Sequence, residues 1–238
     1  MYEPKDFFDL TKTDFPSIFK DINYAWEILR KLEKFICSEG EKLSENEYTK
    51  EKDKNNVWIG KGTVIAKTAE IEGPAIIGHN TKIRQSAFIR KNVIIGNGVV
   101  VGNSSEVKNS FIFDKAKIPH FNYVGDSVIG YKAHLGAGVI LSNTNLKLKG
   151  GNVFVGKIDT GLRKFSSILG DEAEIGCNSV VYPGATIGKK SVVYPLLSVR
   201  SCIPQNYVHK ENGKMERRIE KEVERLRPDL STADEEAD

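Results

Sequence analysis

Aliphatic residues recur at every sixth position through the middle of the chain. The longest series is Ile59, Ile65, Ile71, Ile77, Ile83, Ile89, Ile95, Val101 and Val107. A second series is Leu169, Ile175, Val181, Ile187, Val193 and Val199, and a shorter one between them is Ile129, Leu135 and Leu141. In an α-helix, residues six apart are rotated by about 240°, so the series would share no helical face. Extended residues six apart point the same way, which favours short β-strands.

Glycine follows many of these aliphatic residues and supports the same interpretation. These glycines are Gly60, Gly78, Gly96, Gly102, Gly130, Gly136, Gly170, Gly176 and Gly188. Glycine tolerates the positive φ angles that tight corners need. We therefore predict an all-β core, a parallel β-helix of hexapeptide repeats with three short strands per coil and stacked aliphatic side chains inside. A β-sandwich of alternating strands is the less favoured alternative.

Two segments outside the repeat are predicted to be helical. Phe15 to about Ser38 carries apolar residues such as Trp26 and Leu29 at helical spacing. This pattern predicts one amphipathic helix packed against an end or a side of the β-helix. Met215 to Arg227 is rich in Glu, Arg and Lys, and we predict a second, short helix that stops at Pro228.

These segments divide the chain into three regions. Residues 1–55 would hold the N-terminal helix and a polar linker (40–55), and residues 56–205 would form the β-helix. Residues 206–238 would hold the C-terminal helix and a disordered acidic tail. The terminal coils of a solenoid need a cover, so capping is the simplest role for either helix.

Composition excludes several classes of protein. The 238 residues contain no stretch near the roughly 18 apolar residues of a membrane helix, and the N-terminus lacks a signal-peptide pattern. The three cysteines (Cys37, Cys177 and Cys202) lack metal-ligand spacing and cannot all pair with one another, which suits a reducing compartment. A net charge of +3 is too small to indicate nucleic-acid binding. We expect a cytoplasmic protein that binds neither nucleic acid nor membranes.

The repeat is interrupted at two places, and both interruptions carry polar chemistry. Steps of five residues, from Phe113 to Ile118 and from Val124 to Ile129, bracket a segment that contains His120. The second interruption is a long insert (143–167). Its charged residues are Lys147, Lys149, Lys157, Asp159, Arg163 and Lys164, and all but one are cations. A cationic arm beside a lone histidine suggests an anionic substrate and a general base.

Three runs in this region carry a closer resemblance. They read EVKNSFIFDKAKIPHFNYVGDSVIG, HLGAGVILSN and RKFSSILGDEAEIG. Residues 57–205 resemble the acetyltransferase half of the bifunctional glucosamine-1-phosphate N-acetyltransferase and N-acetylglucosamine-1-phosphate uridyltransferase family, with the archaeal-type sugar-1-phosphate enzymes most similar. The resemblance implies a left-handed winding, a homotrimer and acetyl-CoA as cosubstrate, with no metal needed for acetyl transfer. It further implies acetylation of the amine of an aminosugar-1-phosphate, with glucosamine-1-phosphate as the leading substrate, in UDP-N-acetylglucosamine biosynthesis.

The resemblance also implies roles for individual residues. His120 would be the general base that deprotonates the sugar amine, and Glu106 would orient it. The residues implied to bind the sugar phosphate are Arg90, Lys108, Tyr123, His134, Asn143 and Lys164. Ala137 and Cys177 would lie beside the coenzyme.

Some of these assignments leave alternatives open. His134 stands where bacterial members carry asparagine, so it is either a substrate contact or a surface histidine. Cys177 is either a coenzyme contact or a small buried thiol. We expect His79 and His209 to be exposed. Beyond Val199, the late cation that binds the CoA phosphates in the family has no clear counterpart.

Residues 1–55 do not resemble the nucleotidyltransferase domain of the family and are too few to build it. We therefore do not expect nucleotidyl transfer by this chain alone, although a separate subunit could supply it. The main alternative to the enzyme is a non-catalytic trimeric β-helix that regulates a separate nucleotidyltransferase. A minor alternative is a zinc-dependent β-helix enzyme with histidines shared between subunits.

Overall fold

Three parallel β-sheets wrap around a common axis to form a triangular prism. The computed structural model describes residues 2–145 and 150–219. Successive strands of the repeat pass from one sheet to the next, and each pairs in parallel with the strand one coil later. The predicted parallel β-helix is confirmed, and its architecture is consistent with a left-handed winding.

Each sheet forms one face of the prism. Face 1 contains strands Tyr48–Lys50, Val57–Gly60, Ala75–Ile77, Val93–Ile95, Ser110–Ile112, Val128–Ile129, Ser167–Leu169 and Ala185–Ile187. Face 2 contains Val64–Ile65, Lys82–Ile83, Val100–Asn103, Lys117–His120, His134–Leu135, Glu174–Ile175, Val192–Val193, Tyr207–His209 and Met215–Arg217. Face 3 contains Glu70–Ile71, Phe88–Ile89, Glu106–Lys108, Tyr123–Gly125, Ile140–Leu141, Val180–Val181 and Ser198–Val199.

The repeated aliphatic residues point inward and form the core. Ile77, Ile95 and Ile112 stack on successive rungs of face 1, and all three are fully buried. Burying one such side chain stabilises a fold by about 1.5–3 kcal/mol, so the stacked columns supply the main driving force for folding.

The irregular steps of the sequence all fall at one corner, between faces 3 and 1. The inward residue before His120 on face 1 is Ile112, because Ile112 pairs with Ile95 whereas Phe113 packs outside the prism. The first five-residue step therefore runs from Val107 to Ile112 and does not begin at Phe113 as the sequence suggested. The step from Val124 to Ile129 and the long insert occur at this same corner. Residues 150–166 of the insert are called the arm, and they contain the hairpin strands Phe154–Val155 and Ile158–Asp159.

The outer side of face 1 is apolar and is covered by the N-terminal segment. Its outward side chains include Trp58, Ile76, Ile94, Phe111, Val128 and Ile168, and each is buried. Residues 2–40, called the strap, lie across this surface. The strap begins beside the late coils, where the Tyr2 hydroxyl donates to Cys202 Sγ (3.5 Å), and Gly40 lies against Trp58 of the first coil. Of the two positions that the sequence analysis left open, an end or a side of the β-helix, the structure shows packing along a side.

The single helix predicted over Phe15–Ser38 is wrong, because this segment is divided. The strap contains an α-helix at Pro4–Phe7, 3-10 helices at Pro16–Phe19 and Ala25–Arg30, and an α-helix at Leu32–Gly40. Asp21 has a positive φ of 56°, a conformation that ends a right-handed helix. The division lets short segments follow the flat sheet beneath them.

The predicted linker contains ordered structure. Strand Tyr48–Lys50 pairs antiparallel with Val57–Gly60 and begins face 1. His79 is half-buried against the Tyr48 ring, with 4.6 Å between ring centroids. The expectation that His79 is exposed is therefore wrong, because the added strand covers it.

The C-terminal helix predicted from Met215 is also corrected. Met215–Arg217 is a strand that pairs antiparallel with Tyr207–His209, and a short 3-10 helix, Glu211–Gly213, connects the two. The hairpin satisfies backbone groups at the last rung of face 2. Residues 220–238, which include most of the rest of that predicted helix and the acidic tail, lie outside the described residues.

His209 occupies an inward position in this last rung and is buried, so the expectation of exposure is wrong for it as well. It pairs in register with Val193, and its Nδ1 is buried without a hydrogen-bond partner among the described residues. Burial lowers the pKa of His209 because the charged ring loses its hydration.

We expect His209 to make the protein less stable in acid. When the folded pKa lies below the unfolded value of about 6.5, the unfolded chain binds more protons, so stability falls as the pH drops below that value. When the pH is lowered from about 7.5 to about 5, the Tm of His209→Leu should fall less than the Tm of the unmodified chain. Equal losses in both proteins would contradict this account.

Candidate active site

His120 lies in a column of residues at the corner between faces 2 and 3. The backbone N–H of Gly138 donates to the His120 carbonyl (3.0 Å), and the N–H of Asn178 donates to the Ala137 carbonyl (2.8 Å). His120, Ala137 and Cys177 thus occupy the same position on three successive rungs, spaced by about 4.8 Å. We call these three residues the corner column. The structure therefore places the predicted base in line with both predicted coenzyme contacts.

The members of the corner column are accessible. His120 and Cys177 are exposed, so the alternative of a buried thiol at Cys177 is wrong. Among the described residues, none accepts a hydrogen bond from the backbone N–H of Ala137. This N–H is a donor that could stabilise a developing oxyanion beside the His120 ring.

The backbone beneath this column is approached very closely. A Cβ added to Gly102, on the rung before His120, would collide with the backbone carbonyl of Pro119. Gly136 similarly packs on Cys177 of the next rung. Glycine at these points lets consecutive coils meet and leaves the corner free of bulky side chains.

Asn122 fixes the position of His120 from inside the prism. The side chain is buried, and its Oδ1 accepts a hydrogen bond from the backbone N–H of His120 (3.0 Å). Its Nδ2 donates to the Gly136 carbonyl (2.7 Å), one residue before Ala137. The buried amide of Asn122 therefore connects the coil that carries His120 to the next coil, which carries the backbone N–H of Ala137. Asn122 was not among the residues predicted from the sequence. A polar side chain at an inward position of the repeat nevertheless indicates a buried hydrogen-bonding role.

We expect Asn122→Ala to lower both stability and turnover, because it leaves two backbone groups unpaired inside the prism. Each unsatisfied buried group costs about 1–3 kcal/mol. Thermal unfolding should show a lower Tm, and steady-state kinetics should show a reduced kcat with a smaller change in KM. Ser191, whose buried hydroxyl donates to the Pro204 carbonyl (2.6 Å) in the last coils, provides a control. If Ser191→Ala lowers kcat as much as Asn122→Ala does, the positioning role is contradicted.

Five of the other predicted polar residues lie together with Asp126 on face 3, in what we call the face 3 cluster. Its members are Arg90, Glu106, Lys108, Tyr123, Asp126 and Asn143. Glu106 pairs in register with Tyr123, and its carboxylate accepts a hydrogen bond from Arg90 (Nη1 to Oε1, 3.0 Å). Tyr123 lies on the same coil as His120, three residues later, so the cluster adjoins the corner column. Among the described residues no hydrogen bond joins Glu106 to the His120 ring, so its orienting role stays a prediction.

Asp126 holds the cluster together. Its carboxylate is buried and accepts hydrogen bonds from Lys108 Nζ (3.2 Å), Asn109 Nδ2 (2.8 Å) and Asn143 Nδ2 (2.6 Å). Asn143 Nδ2 also donates to the Tyr123 hydroxyl (3.1 Å). Asp126 lies within a motif quoted from the sequence, but no role was predicted for it, because its partners come from the coils before and after its own.

The electrostatic surroundings keep Tyr123 protonated. Burial raises its pKa, and the negative charges of Asp126 and Glu106 raise it further. The phenol is therefore a neutral hydrogen-bond donor and acceptor at physiological pH. It offers a contact to a polar ligand without adding charge to the cluster.

The arm brings further cations to the edge of this cluster. Phe165 donates its backbone N–H to the Asn143 carbonyl (3.3 Å), so the preceding residue, Lys164, lies beside the cluster and is exposed. Arg163 and Lys157 of the arm are exposed too. Lys147 and Lys149 lie outside the described residues.

His134 is separated from the face 3 cluster. It points outward from face 2, where its register neighbours are Lys117 and Glu174, and it is exposed. The corner column lies between it and Tyr123. The structure therefore does not bring His134 next to the residues predicted to bind phosphate, and a contact with substrate stays a prediction.

A comparison with protein families identifies the chain. The model of the GMPPB C-terminal domain matches residues 71–211, which is more than half of the chain. The chain belongs to this family. The GMPPB C-terminal domain match includes the corner column, the face 3 cluster and the arm, and leaves out the strap.

Two curated relatives match parts of the chain. The chain is 35% identical to the bifunctional protein GlmU of Methanococcus maripaludis strain C5 over 167 residues, covering 70% of this chain and 41% of that protein. It is 41% identical over 80 residues to a bifunctional sugar-1-phosphate nucleotidylyltransferase/acetyltransferase of Sulfurisphaera tokodaii, covering 33% of this chain and 20% of that protein. The chain thus spans less than half the length of these relatives.

Solved structures with a similar fold include a mutant of AntD, an N-acyltransferase from Bacillus cereus in complex with dTDP-4-amino-4,6-dideoxyglucose and coenzyme A. AntD is 18% identical, with a TM-score of 0.45, and the match covers 75% of this chain and 94% of AntD. Another is the acetyltransferase domain of PglB from Neisseria gonorrhoeae in complex with acetyl coenzyme A, at 17% identity and a TM-score of 0.37, covering 69% of this chain and 58% of PglB.

The described residues contain neither a membrane-spanning helix nor a group of side chains suited to hold a metal ion. No helix within residues 2–145 and 150–219 is long and apolar enough to cross a membrane. In those same ranges, no three His, Cys, Asp or Glu side chains are grouped so that they could hold a metal ion.

Proposed function

We propose that the chain transfers the acetyl group of acetyl-CoA to the amine of an aminosugar-1-phosphate, with glucosamine-1-phosphate as the leading substrate. The observation that carries this proposal is the corner column. It aligns an exposed imidazole with the backbone N–H of Ala137, for which the described residues provide no acceptor, next to a cationic polar cluster. The name of the Sulfurisphaera tokodaii relative, a bifunctional sugar-1-phosphate nucleotidylyltransferase/acetyltransferase, supports the same reaction. The product would enter the synthesis of nucleotide sugars such as UDP-N-acetylglucosamine.

The chemistry follows from the reactivity of amines. A neutral amine attacks the thioester carbonyl, so a C–N bond forms while the C–S bond breaks. His120 accepts the proton that the nitrogen loses and returns it to the leaving thiolate of CoA. The N–H of Ala137 stabilises the negative charge on the carbonyl oxygen in the tetrahedral intermediate. Glu106 would orient the imidazole once substrate binding reorganises its contact with Arg90, and Cys177 would contact the coenzyme farther along the column.

The phosphate would lie over the cations of face 3 and the arm. Lys108 has three N–H donors and directs one at Asp126, and the Arg90 guanidinium has donors beyond the one that reaches Glu106. Lys164 would close over the phosphate from the arm. Tyr123, Asn143 and His134 would contact the sugar, the last from the far side of the corner column.

The proposal is tested by acetyl-CoA turnover with a panel of acceptors. Glucosamine-1-phosphate and galactosamine-1-phosphate should support turnover, with one preferred. Glucosamine without phosphate should react far more weakly, because it loses the charge-assisted contacts of Lys108 and Arg90. A panel in which the phosphate makes no difference would contradict the assigned phosphate site. If calorimetry detects no acyl-CoA binding, the non-catalytic module for a separate nucleotidyltransferase becomes the better account.

We further propose that the chain works as a homotrimer in the cytoplasm, where acetyl-CoA and sugar phosphates are available. Two apolar side chains beside the corner column, Ile140 and Leu196, are exposed in the single chain (37% and 76%). Apolar residues this open next to a candidate site suit contact with a neighbouring copy. Light scattering should report three chains per particle, and an active monomer would contradict an intersubunit site.

A further inference from the structure

The strap contacts the arm as well as face 1. Its residues Lys5 and Asp9 lie at the corner between faces 1 and 2: Lys189 Nζ donates to the Lys5 carbonyl (3.1 Å), and the N–H of Asp9 donates to Asp171 (2.7 Å). The strap then crosses to the opposite corner, where the arm is inserted. There the buried rings of Trp26 and Phe165 pack with 6.0 Å between centroids.

A second contact holds the arm at the open end of its hairpin. Arg30 Nη2 donates to the Thr160 carbonyl (3.4 Å), and the guanidinium lies so close to Gly161 that a Cβ there would collide with it. Thr160 is buried, and its hydroxyl donates to the Val153 carbonyl (2.6 Å), which ties the two sides of the arm together. The strap therefore contacts a folded unit rather than a loose loop.

One residue of the arm, Phe165, contacts both the strap and the candidate site. Phe165 places its ring against Trp26 and its backbone N–H on the Asn143 carbonyl. Ser166 donates its N–H to the Asp126 carbonyl (3.0 Å). Phe165 therefore lies between Trp26 and the face 3 cluster. The residue after it, Ser166, binds Asp126, and the residue before it is Lys164.

We propose that Trp26 is a positioning residue, which holds Phe165 and thereby sets where Lys164 and the Asn143 amide stand over the bound sugar phosphate. The inference deepens the proposed function and rests on it for its kinetic readout. A strap that only covers apolar surface would need no contact with the arm. The Trp26 and Arg30 contacts instead join the strap to the segment that carries the cations.

A matched control separates positioning from simple stability. Phe19 is another buried aromatic residue of the strap, but its ring neighbours are Phe8, Phe111 and Phe113, none of which lies in the arm. Trp26→Ala and Phe19→Ala should both lower the Tm. Only Trp26→Ala should raise the KM for the aminosugar phosphate, by roughly tenfold, with the KM for acetyl-CoA unchanged. Trp26→Phe should restore most of the lost affinity.

The hydrogen–deuterium exchange of residues 150–166 should be measured in the same variants as the KM values. Faster exchange of the arm in Trp26→Ala, and not in Phe19→Ala, is expected. Equal exchange, or an equal change in KM, in the two variants would overturn the proposal. If Trp26→Ala does not fold, Arg30→Met tests the connection of the strap to the arm at its second, exposed contact, and unchanged exchange and an unchanged KM in that variant would overturn the proposal. If the chain has no acetyltransferase activity, the proposed function is wrong. Hydrogen–deuterium exchange of the arm would still show whether the strap holds it.

Discussion

Replacing His120 with alanine is expected to lower the rate of acetyl transfer by about 10²–10⁴-fold, the usual contribution of a general base. The loss should appear in kcat, because the imidazole accepts its proton in the transition state and the phosphate contacts of face 3 are left in place. Stability should change little, since the ring is exposed. The measurement is acetyl-CoA turnover with glucosamine-1-phosphate, with the Tm recorded for the same samples.

Two further variants make this test specific. His79→Ala removes a histidine that lies against Tyr48, away from the corner column, and it should leave turnover unchanged. His120→Asn keeps a polar side chain but not the base, so it should be as slow as the alanine variant. Turnover of His120→Ala within a few-fold of the unmodified chain would rule out His120 as the base.

The second large effect is expected at Asp126. Removing the carboxylate in Asp126→Ala leaves Lys108, Asn109 and Asn143 without the acceptor that they share. Loss of one partner of a buried ion pair costs about 3–5 kcal/mol, so the free energy of unfolding should fall by that amount. Because Asn143 and Lys108 are the proposed ligands of the sugar phosphate, affinity for that substrate should fall in the same variant.

Asp126→Asn separates the two consequences. It keeps the size of the side chain but loses the charge and one acceptor, so the fold should survive while kcat/KM for glucosamine-1-phosphate falls by roughly 10–100-fold. Asp171→Asn is the matched control, because Asp171 is a buried aspartate at a different corner and accepts the N–H groups of Asp9 and Tyr131. It should lower stability and leave the KM unchanged. A KM that rises equally in both variants would contradict the role of Asp126 as the organiser of the site.

The prism could be predicted from the sequence because its cause is repetitive and local. Every coil needs one inward aliphatic residue per face, so the spacing of six is visible without any knowledge of the rest of the chain. The same six-residue spacing also predicts on which coil each residue of the candidate site lies. His120, Ala137 and Cys177 then fall in one column because coils stack at a fixed rise.

The remaining features depend on contacts between distant segments. Ile112 and Phe113 are adjacent apolar residues, and only the pairing of Ile112 with Ile95 shows which one points inward. The strap is divided by Asp21 to fit a surface that the sequence does not show. Asp126 collects its donors from other coils, and the buried state of His209 depends on the hairpin that follows it. Such pairings are set by tertiary packing and not by local pattern.

The central claim is that this chain acetylates an aminosugar phosphate at the corner column. The most direct test is to mix the purified chain with acetyl-CoA and glucosamine-1-phosphate, follow release of free CoA, and identify the acetylated sugar phosphate by mass spectrometry. We predict CoA release that requires the acceptor, with an N-acetylated product formed in equal amount. Acetyl-CoA that stays intact with both glucosamine-1-phosphate and galactosamine-1-phosphate would contradict the account.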